Sequence, residues 1–177
     1  MSKACNLLLS GPPGVGKTTV LAAVARRLGD RKLGGFLTEE IRPERQRLGF
    51  TLVPFQGEPR TMAHRDFSSR HRVGRYGVDV EAIDDIAKAL LGPRVDAEVF
   101  LIDEIGKMEY FSRRFVEAIL RLLDDPRPLI VSVALQGPGL ISEVKQRGRQ
   151  QEIITRRERI KRETPARRKR ESLRTAA

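Results

Sequence analysis

Cysteine occurs once in this chain, at position 5, which rules out an internal disulfide framework. With no secretory signal at the N-terminus, the expected compartment is a reducing cytosol. No apolar run approaches the ~20 residues that span a bilayer, so no membrane segment is expected. Internal repeats are missing, and the only biased segment is an Arg-rich end. Aromatic residues make up 5% of the chain and none lies beyond Phe115, so the C-terminal part has no ring on which a base could stack. The 177 residues suit one full hydrophobic core with at most a small appendage.

Charge is plentiful but uneven. The formal net charge is +11, and from Arg156 to Arg174 ten Arg or Lys face only Glu158, Glu163 and Glu171, a local excess of +7. Residues 1–155 therefore carry only about +4. This divides the chain into a domain at 1–155 and a basic helix or tail at 156–177, expected to be a solvated segment. Nucleic acid is a conceivable electrostatic partner of that tail, but the missing aromatics make it a secondary expectation.

The apolar runs 4–9, 99–102 and 129–134 are short and do not alternate, as strands buried on both faces do. Between them lie helical spacings: Val20, Leu21, Val24 and Leu28; Ile83, Ile86, Ala87 and Leu90; Phe115, Ile119, Leu122 and Leu123. Asp79 and Ser112 are placed to cap the second and third helices, and Gly92 to end the second. The alternation predicts an α/β domain with a mostly parallel central sheet flanked by helices. Residues 34–78 break the rhythm. Phe36–Thr38 and Phe50–Phe55, with Pro43 and Pro54 nearby, read as a small antiparallel β-hairpin extension.

Directly after the first strand comes GPPGVGKT, with Gly11, Gly16, Lys17 and Thr18 on every fixed position of G-x-x-x-x-G-K-[ST]. Such a loop curls backbone N–H groups around an anion and opens into a helix whose positive end faces the phosphates. Lys17 is expected to bridge the β- and γ-phosphates and Thr18 to hold Mg2+. The run VFLI then ends in two adjacent carboxylates, Asp103 and Glu104. A carboxylate at the end of a neighbouring parallel strand faces the same crevice as the phosphate loop. Asp103 is therefore expected at the metal, and Glu104 at the water that attacks the γ-phosphate.

Two other matches are weaker. Asp103 to Gly106 fits D-x-x-G, but the only asparagine is Asn6, so the guanine-reading Asn-Lys-x-Asp element is missing. His64, Arg65 and Asp66 spell HRD, yet His71 stands where a protein-kinase catalytic loop needs Asn. The segment HRDFSSRHRVGRY is expected to be a surface or phosphate-facing loop rather than a metal site.

GPPGVGKTT, GFLTEEIR, RLGF, VGRYGVDVE and LIDEIGKMEYFS, in this order, resemble the THEP-type nucleoside-triphosphatase family, also called the cancer-related nucleoside-triphosphatase family. The resemblance runs from about Lys3 to Thr155. It implies a RecA-like P-loop NTPase that hydrolyses ATP, GTP, CTP and UTP with Mg2+ and little base discrimination. The family's nucleotide contacts map onto Gly11, Pro12, Pro13, Gly14, Val15, Gly16, Lys17, Thr18 and Thr19, and onto Leu101, Ile102, Asp103, Glu104, Ile105, Gly106, Lys107 and Met108. A family Thr-x-x-Asn-Arg element departs here: Thr155 and Arg159 are kept, but Glu158 replaces Asn, which weakens the contact expected from Arg159.

The expected reaction is phosphoryl transfer to water, with Lys17, Asp103 and Glu104 as its catalytic groups and Thr18 and Asp103 as metal holders. Arg42, Arg47, Arg72, Arg75, Lys107 and Arg159 are candidates for a cationic finger. A nucleotide or nucleoside kinase is the main rival, because kinases share GPPGVGKT. A nucleic-acid-associated switch using the tail is another. Nucleoside triphosphates are the expected ligands, and the chain is expected to be monomeric.

Overall fold

A computed structural model of the chain describes residues 6–92, 96–147 and 149–152. Along these residues come β1 (Asn6–Ser10), α1 (Lys17–Leu28), β2 (Leu33–Ile41), β3 (Gly49–Pro54), β4 (Arg60–His64), β5 (Arg72–Val73) and β6 (Tyr76–Val78). They are followed by α2 (Val80–Leu91), β7 (Val99–Ile105), α3 (Arg113–Asp124), β8 (Leu129–Val133), α4 (Leu140–Arg147) and β9 (Arg149–Glu152). The expected tail at 156–177, Thr155, Glu158 and Arg159 lie outside the described residues.

All nine strands join one sheet in the order β5-β6-β4-β3-β2-β7-β8-β1-β9. From β2 to β9 every pairing is parallel; from β2 to β5 every pairing is antiparallel. The switch happens within β2, where Leu33–Phe36 pairs with Val99–Ile102 of β7 while Phe36–Ile41 pairs with Pro54–Gly49 of β3. The extension is thus larger than a hairpin, and its first strand also belongs to the parallel core.

Alternation along β7 explains the layers, because successive side chains leave a strand on opposite faces. Val99 and Leu101 pack with Leu9 and Leu21 on the α1 face. Phe100 and Ile102 pack with Phe36, Ile83, Ile86, Phe115 and Ile119 on the α2–α3 face, which Ile105 joins beyond the register shift that breaks the alternation. The α3 stripe Phe115, Ala118, Ile119, Leu122 and Leu123 is buried at helical spacing. Helix α1 buries less: Leu21 is enclosed, but Val20 is exposed. Asp79 accepts from the N–H groups of Glu81 and Ala82 at 3.0 and 3.1 Å, and Ser112 from that of Phe115 at 2.9 Å, so both caps form as expected. Gly35 permits the close β2–β7 approach: its φ is 100°, and a Cβ there would sit 1.8 Å from the Leu101 carbonyl oxygen.

Candidate active site

The phosphate loop joins the carboxyl end of β1 to α1, next to β8 and one strand from the end of β7. Gly16 occupies the N-cap of α1 at φ 102°, a left-handed conformation natural to glycine. Unlike α2 and α3, α1 has no side-chain cap, and it has no acidic residue in its first turn. Its first N–H groups are therefore left to an anion. Pro12 and Val15 close the loop through a backbone hydrogen bond of 3.3 Å. Gly11 is buried, Pro13 and Gly14 are exposed, and Thr18 and Thr19 lie exposed on the first turn of α1.

Lys17 is only 7% exposed. Its ammonium donates to the Gly11 and Pro12 carbonyls at 3.1 and 3.5 Å and lies 3.2 Å from Glu104 Oε2. The structure thus brings together the lysine and the second carboxylate. Asp103 is 1% exposed; its Oδ1 accepts from the Ser132 hydroxyl at 2.5 Å, and its Oδ2 is buried with no hydrogen-bond partner. A buried carboxylate oxygen is costly without a donor or cation. An oxygen-only donor set, the Asp103 carboxylate with the hydroxyl of Thr18, the residue after Lys17, suits Mg2+.

Beyond Ile102, β7 leaves regular pairing. Its ladder with β2 ends at Phe36 and Ile102, and its register with β8 shifts between Ile102 and Ile105. Side chains hold what the ladders release: the Thr38 hydroxyl donates to the Asp103 carbonyl and Ser132 to the Asp103 carboxylate. Neither partner was identified from sequence. Ser132 had a readable signal, a lone hydroxyl inside the apolar run LIVSVA.

Other expected contacts need correction. Leu101, Ile102 and Ile105 are fully buried in the two cores, so a ligand could meet them only through the main chain. Met108 is half-buried against the core, Gly106 is buried, and Lys107 is exposed. The finger candidates on the extension are engaged elsewhere. Arg42 and Arg47 both pair with Glu40; Arg47 and Arg75 both donate to the Tyr76 hydroxyl; Arg72 donates to the Phe67 and Arg75 carbonyls. His64 and His71 lie against Phe67 and Phe111, with ring centroids 5.6 and 4.8 Å apart.

The scan against family models matches the NTPase family over residues 6–164. The chain belongs to this nucleoside-triphosphatase family. It is 34% identical over 143 residues to "Nucleoside-triphosphatase THEP1" of Thermotoga sp. (strain RQ2), covering 80% of this chain and 81% of that one. To the Aquifex aeolicus THEP1 sequence it is 37% identical over 135 residues, covering 72% and 75%. The crystal structure of THEP1 from Aquifex aeolicus superposes with a TM-score of 0.75 at 30% identity, over 87% of this chain and 92% of that one. The solution structure of a human cancer-related nucleoside triphosphatase gives 0.68 at 29% identity, over 92% and 96%. The THEP-type resemblance and the P-loop NTPase fold are thereby established.

One carboxyl of this NTPase site was also missed by sequence. Glu109 is 5% exposed, and its Oε2 accepts from the Gly106 N–H at 3.0 Å. Burial raises its pKa from 4.5 to about 8; the Gly106 N–H opposes the shift, and the charges of Glu104 and Asp103 add to it. Because the folded pKa is raised, the stability that Glu109 contributes is greatest below pH 4.5 and is lost as pH rises through about 8. Glu109→Gln stays neutral throughout. Its stability relative to wild type should therefore grow by on the order of 3–5 kcal/mol between pH 5 and pH 8.5. Urea unfolding of both proteins across that range measures this, and a constant difference would show that Glu109 ionises freely in the fold.

Proposed function

We propose that this chain hydrolyses nucleoside triphosphates to the diphosphate and phosphate, dependent on Mg2+ and with little base discrimination. The observation that carries the reading is the 3.2 Å pairing of the Lys17 ammonium with the Glu104 carboxylate, over an uncapped phosphate loop and beside the buried free oxygen of Asp103. The nucleoside-triphosphatase name of its relatives agrees with it.

In this reading the N–H groups of Gly14 to Thr19 cradle the phosphates, and Lys17 turns from the Gly11 and Pro12 carbonyls toward the β- and γ-oxygens. Thr18 and Asp103 hold the metal, which supplies charge neutralisation on the phosphates. Glu104 orients a water in line with the γ-phosphorus and accepts its proton. The new P–O bond forms from that water, the bond to the β–γ bridging oxygen breaks, and its electron pair leaves with the diphosphate.

Asn6 is spent in the core, donating its amide to the Leu123 carbonyl at 2.9 Å, so no asparagine remains to read guanine. Specificity constants for ATP, GTP, CTP and UTP are expected within about tenfold of one another, since the sequence has no Asn-Lys-x-Asp element to read guanine. The extension arginines are held by Glu40, Tyr76 and main-chain carbonyls, leaving Lys107 as the exposed cation nearest in sequence to Glu104. A well-placed finger contributes ~10³–10⁵ in rate, so if the described residues supply none, turnover by the chain alone should be slow.

The test is the fate of γ-labelled ATP incubated with a panel of nucleosides and nucleoside monophosphates. All label should appear as free phosphate. Label carried on an acceptor would replace hydrolysis with the kinase reading.

A further inference from the structure

Glu109 has no part in the mechanism above, yet it is a buried carboxyl at the edge of the site. A methyl group built on Gly106 would meet Glu109 Oε2 at 3.1 Å and Glu104 Oε1 at 3.4 Å, so the two carboxyl groups flank one glycine. Asp103 and Glu104 are the part of β7 that neither neighbour holds regularly: pairing with β2 ends at Ile102, β8 is met again only at Ile105 and Val133, and Gly106 follows the last residue of the strand. Upstream, Thr38 and Ser132 fix Asp103. Downstream, the 3.0 Å bond from the Gly106 N–H to Glu109 does the corresponding work.

Glu109 is itself well anchored. It opens the 3-10 turn Glu109–Phe111, its carbonyl accepts from the Ser112 N–H at 3.1 Å, and Ser112 donates to Asp84 of α2 at 2.5 Å. Phe111 of the same turn lies against His71. Strand, helix and extension therefore meet at this turn.

We propose that Glu109 is a positioning residue for hydrolysis: by holding the Gly106 N–H, its carboxyl fixes the turn at the end of β7 and so keeps Glu104 directed at the phosphate loop. This rests on the reading that Glu104 orients the attacking water. Burial keeps the Glu109 carboxyl neutral below about pH 8. The charged and titratable groups around the turn are Asp103 and Glu104 on β7, Lys17 paired to Glu104, Lys107 in the turn itself, His71 on the extension, and Asp84 and Arg114 on the packed helices. Ionising Glu109 adds a second anion beside Glu104 and works against its fixed position.

The experiment compares wild type, Glu109→Ala, Glu109→Gln and Glu104→Gln in phosphate release, in binding of a fluorescent ATP analogue, and in kcat from pH 6 to 9.5. Glu109→Ala should lower kcat about 30-fold with KM and analogue affinity within about threefold, as loss of orientation does. Glu109→Gln, whose amide oxygen accepts the same N–H, should recover most of that loss. Wild-type kcat should fall near pH 8 as Glu109 ionises, and Glu109→Gln should remove that fall. Wild-type kcat in a folded Glu109→Ala protein overturns the proposal. If that variant does not fold, Glu109→Gln decides, and an alkaline limb identical to wild type overturns it. A fully active Glu104→Gln protein would instead sink the underlying reading of Glu104, so the two failures are separable.

Discussion

Glu104→Gln should bind nucleoside triphosphate at least as tightly as wild type and lose nearly all hydrolysis. The substitution keeps the shape of the side chain and removes two things: the ability to accept a proton and the negative charge 3.2 Å from Lys17. The first sets the rate. General-base assistance supplies roughly 10²–10⁴, so kcat should fall about 10³-fold. The second sets the affinity. On the proposed reading an incoming triphosphate competes with the Glu104 carboxylate for the Lys17 ammonium, and glutamine withdraws that competitor. Because Glu104 is 36% exposed, solvent screens the pair, and the gain in affinity should be no more than about tenfold. Phosphate release at saturating nucleotide, with equilibrium binding of a fluorescent analogue, separates the two effects. A rate within tenfold of wild type would remove Glu104 from the chemistry.

What could be read from the sequence follows the range of the contacts involved. The phosphate loop is local: Gly11 to Thr18 encode the turn, the helix start and the lysine in one contiguous stretch. The caps Asp79 and Ser112 are equally local, and both formed. The carboxylates were visible because charge at the end of an apolar strand is conspicuous, but their supports were not. Thr38 and Ser132 lie 65 and 29 residues from Asp103 in the chain, and no periodicity marks a hydroxyl that becomes a neighbour only when β2 and β8 flank β7. The same blindness affected Leu101, Ile102 and Ile105, where a motif match suggested ligand contact and the side chains enter the two cores, Leu101 and Ile102 by strand alternation and Ile105 beyond the register shift with β8. The extension was only partly legible. β5 and β6 are two and three residues long and contain Arg72 and Gly77, too short for alternation to register. Reading β2 as the start of an insertion missed its double pairing, because one strand that is parallel on one side and antiparallel on the other looks like any other strand in sequence.

Lys17→Ala should fail at both steps that Glu104→Gln separates. Removing the ammonium leaves the Glu104 carboxylate without its cation at the phosphate loop, and the adjacent Asp103 still presents an unpartnered buried oxygen. A triphosphate would then meet like charge where wild type offers a cation buried to 7% exposure. Affinity should drop at least 10–100-fold, and the charge developing on the γ-phosphate loses its nearest protein cation, for a total loss in kcat/KM of about 10⁴ or more. Lys17→Ala with Glu104→Gln tests whether the pair acts as a unit. If competition between carboxylate and phosphate is the right account, the double variant should regain a substantial part of the binding lost in Lys17→Ala while its hydrolysis stays absent, a non-additivity in affinity alone. Additive losses in both measurements would mean that Lys17 and Glu104 serve the nucleotide independently.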